Sequence, residues 1–186
     1  MGNGVNKGEE KKKNKKEKGK KKMKKEGREN KKNVGIPAVI DDKIGELGTL
    51  VELVEITELY DNGEMDIKTK GLEVFRILEI VKEVPGKLYK GAIVNYPENS
   101  EKSNQLVMQK VVEIIRQLHT ILKVKKKFSK TEELLRSYDV AHHAGLSLKE
   151  EYELLGLFHE MQRQEYLKQH LLKVLPIVAE METLKK

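Results

Sequence analysis

The sequence predicts an α+β protein in which a compact, mostly antiparallel sheet or barrel is followed by a bundle of about four helices. Three observations carry this. Between Val34 and Tyr96 the apolar residues fall in short runs separated by Gly, Pro and Asn-Gly, the pattern of strands joined by tight turns. From Ser103 onward the apolar spacing changes to three and four residues, the period of a helix face. Ahead of both, residues 1–33 hold only Met1, Val5 and Met23 from the hydrophobic set. That is too little apolar surface to offset the entropy of ordering, so this stretch is expected to be a disordered lysine-rich tail. The domain reading is therefore tail 1–33, β-subdomain 34–98 and helical subdomain 99–186.

Each element follows from a local signal. "VGIPAVI" is an apolar run whose Pro37 removes a ladder donor, which assigns it to an edge strand or a bulge. "IGELGTLVELVEITEL" comes next, with Gly45 and Gly48 read as breaks. Asn62-Gly63 then predicts a type I′ hairpin, with φ > 0 at both central residues. Met65, Ile67 and Thr69 alternate with Asp66, Lys68 and Lys70, as in a half-buried strand. "LEVFRILEIV" reads as a further strand, and a Pro85-Gly86 turn leads into a last one, for about five in all.

The first helix spans Ser103 to Val124, with an apolar stripe at 107, 108, 111, 114, 115, 118, 121 and 122 and Ser103 or Asn104 as N-cap. Ser129 and Glu132 read as a capping box opening a second helix, which turns Leu134, Leu135, Tyr138 and Ala141 inward and stops at Gly145. Ser147 and Glu150 form a second such box, and the third helix turns Leu148, Tyr152, Leu155 and Phe158 inward. A fourth runs from His159 to Leu175 on Tyr166, Leu167, Leu171 and Val174, with Pro176 as a stop or kink.

Charge divides along the same boundary. The chain carries 37 Lys+Arg and 30 Asp+Glu, a net +7. Residues 1–33 alone hold 15 basic and 5 acidic residues, +10, which leaves 22 basic against 25 acidic in the remainder, −3. Phosphate contact needs clustered Lys and Arg, so non-specific nucleic-acid binding could come only from the tail. The absence of cysteine excludes disulfides, thiolate metal sites and a cysteine nucleophile. No run approaches ~20 apolar residues, so no membrane-spanning helix is expected, and a cytoplasmic location is.

Motifs for chemistry are missing. The sequence has no G-x-x-x-x-G-K-[ST], no G-x-S-x-G and no H-E-x-x-H. No catalytic, cofactor-binding or metal-binding residue is assigned, no cofactor is expected, and peptide-binding residues are not identifiable. His142 and His143 are adjacent, and neighbours on a helix point ~100° apart, which suits structural roles better than a shared metal. His159 and His170 are too far apart to share an ion. Asp139, at i−3 from His142, is read as its local partner. Asp41, Asp42 and Glu46 read as a solvated turn between strands. Tyr60, Phe75, Tyr89 and Tyr96 are either half core and half rim or an exposed surface for peptide or base stacking.

"IGELGTLVELVEITELYDNGEMDIKTKGLEVFRILEIV" resembles the N-terminal substrate-binding domain of Lon proteases. The matching features are Gly48-Thr49 leading into a long strand, the Asp61-Asn62-Gly63 hairpin, and "GLEVFRIL" from Gly71 to Leu78, where the family has "GLxRFRV". "SYDVAHHAGLSLKEEYELLGL" is similar to the third-helix region of stand-alone versions of the domain. The resemblance covers residues 34–178. It implies a PUA-like antiparallel β-barrel backed by helices, and a module that presents unfolded polypeptide to an ATPase ring and a Ser-Lys peptidase. Neither of those modules is in this sequence.

The family's usual start, an F-P-L hairpin and a P-x-H-I-F-E-x-R-Y segment entering a helix, has no counterpart; the lysine run stands in its place. A truncated or frame-shifted start is the expectation, to be tested by reading the DNA upstream of codon 34 in all frames. Such a start would leave the barrel incomplete, with an unpaired edge near 36–40. The functional expectation is a non-catalytic module that binds unfolded or exposed polypeptide, working with a separate ATPase or protease. The competing expectation is an RNA- or other nucleic-acid-binding protein that uses the tail and a PUA-like barrel.

Overall fold

The computed structural model describes residues 33–83, 85–86 and 90–185. The expectation for the lysine-rich tail therefore falls outside the described residues apart from Asn33, as does the one for Tyr89. Four strands, β1 (Asn33–Ile40), β2 (Lys43–Leu59), β3 (Met65–Val81) and β4 (Gly91–Asn95), form one sheet in the order β1-β2-β3-β4. Among the described residues this antiparallel sheet does not close into a barrel, and β1 and β4 are its two ends. β4 pairs antiparallel with β3 from Arg76↔Asn95 to Val81↔Gly91, with an irregularity between Ile77 and Glu79. Helices α1 (Gln105–Ile121), α2 (Ser137–Val140), α3 (Leu148–Leu155) and α4 (Glu160–Leu184) follow.

The described chain divides into two compact units, one of residues 33–37 and 48–75, the other of residues 38–47 and 76–185. In the first, Val51, Val74 and Phe75 are the buried apolar side chains. The Phe75 ring lies against Gly35 and Gly48: a Cβ at Gly48 would stand 2.4 Å from Phe75 Cζ and 2.6 Å from the Ile36 carbonyl oxygen. In the second unit, α1 contributes Met108, Val111, Val112, Ile114, Ile115 and Leu118 to a core completed by Leu135, Val140, Leu154, Leu167 and Leu171.

Several local expectations change. Four strands replace five, because β3 runs through Gly71 without a break. Gly45 and Gly48 do not interrupt β2 either. Each marks a close approach of an aromatic ring, a common reason for glycine inside a strand. The Asn62-Gly63 hairpin is present, but only Gly63 has positive φ (+92°). Its N–H donates to the Tyr60 carbonyl oxygen (3.1 Å), Tyr60 N–H donates to the Glu64 carbonyl oxygen (2.9 Å), and Asn62 Oδ1 accepts from Glu64 N–H. The two-residue loop with left-handed backbone at both positions is Asp41-Asp42 (φ 48° and 59°), between β1 and β2. Aspartate tolerates that region better than most residues.

The first helix is capped by Asn104, whose side chain accepts from the Leu106 and Val107 N–H groups. The second expected helix is instead a 3₁₀ turn (Glu132–Leu134), the short α2, and another 3₁₀ turn (Ala141–His143). Ser129 does not take the cap position: the turn starts after Thr131, and Glu132 pairs with Arg116 of α1. Gly145 does take the left-handed conformation expected of it (φ 70°). The Ser147–Glu150 capping box forms in both directions, with Ser147 N–H to Glu150 Oε2 at 2.8 Å and Glu150 N–H to Ser147 Oγ at 3.4 Å. The last helix continues through Pro176 to Leu184.

Candidate functional site

An apolar stripe on a short helix meets the end of an edge strand in the second unit. Leu148, Tyr152 and Leu155 recur at i, i+4 and i+7 on α3, and with Ala38, Val39 and Ile40 of β1 they line a groove of about 340 Å³. Tyr138, Ala141 and His142 line it as well, and Leu154 joins it to the core. The inward assignment of Leu148 is corrected: the side chain is 60% exposed, and Leu154 is the buried residue of α3. The stripe that looked like a core face is a groove wall, because the face next to it already fills the core.

Tyr152 is fixed from below. Its hydroxyl accepts from Leu47 N–H (3.2 Å), and its ring lies so close to Gly45 that a Cβ there would stand 2.8 Å from the hydroxyl oxygen. Val39 is 50% exposed, and β1 has no strand beyond it among the described residues. An apolar groove beside a free strand edge offers backbone hydrogen bonds and a side-chain pocket together, the two requirements for holding an extended polypeptide. A larger hollow of about 550 Å³ lies on α1 around Gln109, Glu113, Arg116 and Gln117. Its long polar side chains and the Arg116–Glu132 ion pair make it a solvated surface feature.

Below the groove lies a buried polar network invisible as a motif. Glu160 accepts from Ser137 N–H (2.8 Å) and Ser137 Oγ–H (2.6 Å), and pairs with Arg163 at 3.0 Å with both side chains almost wholly buried. Arg163 also donates to Asn99 Oδ1 (2.9 Å) and to the Leu157 carbonyl oxygen (2.7 Å), and its guanidinium lies 4.6 Å from the Tyr138 ring centroid. Gln164 donates to Glu160 and accepts from Asn104 N–H (2.9 Å). Every member is satisfied, so the network positions the elements around the groove rather than offering a reactive group. The i, i+3 spacing of Glu160 and Arg163 was its one sequence signal.

The histidines also find new partners. His143 packs edge-on against His119 (5.0 Å between centroids) and Phe128 (5.1 Å), and lies 4.0 Å from His142. Neither ring nitrogen of His143 has a hydrogen-bond partner. Burial, with the neighbouring His142, His119 and Lys126 charges, pushes its pKa down to about 4. Asp139 does not serve His142; it accepts from Arg136 N–H (3.0 Å) and pairs with Lys130 (2.8 Å). His170 is held by Glu150 (3.2 Å). Among the described residues no group of three His, Asp or Glu could hold a metal ion, and no helix is long and apolar enough to cross a membrane.

These features define a class: an α+β domain with an open antiparallel sheet, a helical core and an apolar groove. Solved structures of the same build are Lon domains. The chain is similar to a Lon N-terminal domain protein from Xanthomonas campestris, with 17% identity over 78% of this chain and 79% of that one and a TM-score of 0.52. It is similar also to the N-terminal domain of the Mycobacterium avium complex Lon protease, with 13% identity over 75% and 76% and a TM-score of 0.51. No protein-family profile and no curated protein sequence matches the chain. At these identities the likeness is one of fold, and the chain has a Lon N-terminal-like fold.

Proposed function

We propose that this protein is a non-catalytic polypeptide-binding module that takes up unfolded or exposed segments in the manner of a Lon substrate-binding domain. The observation that carries this is the groove, with an apolar wall on α3 opposite the free end of an edge strand. An apolar-lined concavity is the usual form of a binding site. The module would present its cargo to an ATPase or protease.

The test is fluorescence anisotropy of the full chain with a reduced, alkylated and therefore permanently unfolded protein. Val39→Glu and Leu148→Glu change exposed side chains and should leave the fold intact, as circular dichroism will show. Each should weaken binding by about tenfold or more, since ~1.4 kcal/mol is one decade. Unchanged affinity in both variants would move the site away from the groove. Tight binding to single-stranded RNA with none to unfolded protein would replace this reading by the nucleic-acid one.

A further inference from the structure

The groove is mostly apolar, but one acid, Glu151, lines it and two more follow Ile40 directly in the chain. The β1–β2 turn that begins directly after Ile40 carries Asp41 and Asp42, and α3 places Glu151 among the lining residues. All three carboxylates are exposed, and no ion pair or side-chain hydrogen bond engages them among the described residues. Neighbouring acids are already occupied: Glu150 by Ser147 and His170, Glu153 by the Tyr166 hydroxyl (3.0 Å). Residues 38–47 hold three acids and one lysine, and residues 148–155 likewise. Both of these segments are therefore net negative. Unpaired carboxylates beside a low-dielectric apolar surface act on a passing cation more strongly than they would in open water.

We infer that the groove selects extended polypeptide segments in which an apolar anchor is flanked by Lys or Arg. The anchor enters between Val39 and the Leu148–Tyr152–Leu155 stripe, and the flanking cations lie against Asp41, Asp42 and Glu151. An acidic flank would meet the same carboxylates as like charges and be rejected, which gives specificity beyond that of apolar contact. The inference rests on the groove being a polypeptide site and adds the class of segment it takes.

Three labelled 12-residue peptides with one common apolar centre, flanked by Lys, Ser or Glu, separate the two ideas. With the full chain at low salt, the Lys-flanked peptide should bind at least tenfold tighter than the Glu-flanked one, and added salt should shrink the gap. The triple variant Asp41→Asn, Asp42→Asn, Glu151→Gln keeps turn-compatible and isosteric residues. It should bring the Lys/Glu ratio close to one while the Ser-flanked peptide still binds. Ser-flanked binding with no charge preference overturns this inference alone, whereas no binding of any peptide overturns the polypeptide site itself. Zero-length cross-links from Lys11–Lys25 to Glu151 without peptide binding would assign the groove to the chain's own lysine run. Self-association lost in Leu148→Glu, again without peptide binding, would assign it to a second copy. Either result overturns the inference.

Discussion

The two compact units differ most in what they bury. The unit of residues 38–47 and 76–185 closes a core in which Val111, Ile115, Leu135, Val140, Leu167 and Leu171 are fully buried. The unit of residues 33–37 and 48–75 buries three apolar side chains and leaves Val34, Ile36, Val54, Tyr60, Met65, Ile67 and Leu72 exposed. Burial of apolar area is the main favourable contribution to folding, so stability should concentrate in the helical unit. The strands of the first unit keep their shape through ladder hydrogen bonds and the Phe75 contacts at Gly35 and Gly48. The lesson is that regular secondary structure and a stabilising core need not coincide within one chain.

The largest expected effect comes from the buried pair. Arg163→Met leaves Glu160 charged and unpaired, and should cost about 3–5 kcal/mol in urea unfolding, with much of it recovered by adding Glu160→Met. A cost within 1 kcal/mol would show that the helical unit does not depend on this network. Next, Leu167→Ala removes a fully buried side chain and should cost about 2–5 kcal/mol. Ile67→Ala, at a site 48% exposed, should stay within about 0.5 kcal/mol. Equal costs would erase the contrast between the units.

His143 supplies a pH test of the same core. Its folded pKa, about 4, lies below the unfolded value of 6.5. Between these values the unfolded chain binds more protons, so stability is full above pH 6.5 and falls as pH drops towards 4. The loss should be on the order of 2–3 kcal/mol, and His143→Leu should flatten that part of the profile. A smaller effect than that of His143 is expected from Ser147→Ala, which removes the cap of α3 and should cost about 1 kcal/mol. Hydrogen exchange in α3 should speed up more than in α1.

What could be read in the sequence depended on how local its cause was. The Asn104 cap, the Ser147–Glu150 box, the Pro85-Gly86 turn and most of the α1 stripe rest on residues a few positions apart and form, although the helix stops at Ile121, Leu122 is exposed and Val112 joins the buried face. The second helix breaks into three short turns, and Glu132, its expected capping partner, pairs instead with Arg116 sixteen residues back. The type I′ turn was expected at Asn62-Gly63, whereas Asp41-Asp42 carries the two positive φ values. There the tight two-residue connection between β1 and β2 outweighs composition. The groove was half legible: 148, 152 and 155 are periodic, but period alone cannot tell a face turned to the core from one turned to an empty groove. The His119–His143 packing and the Ser137–Glu160–Arg163 network depend on residues more than twenty positions apart, where no local pattern reaches.

Gly45 has a consequence for how variation at this protein's surface should be interpreted. It does not line the groove, yet it sets how far the Tyr152 ring can settle, and Tyr152 is part of the groove wall. A methyl group at position 45 would displace that ring and so change the shape of the groove wall. On the proposed function, a substitution at this apparently structural glycine would register in what the groove takes up as well as in stability. Screens that sort residues by whether they touch the ligand would file it under the wrong heading.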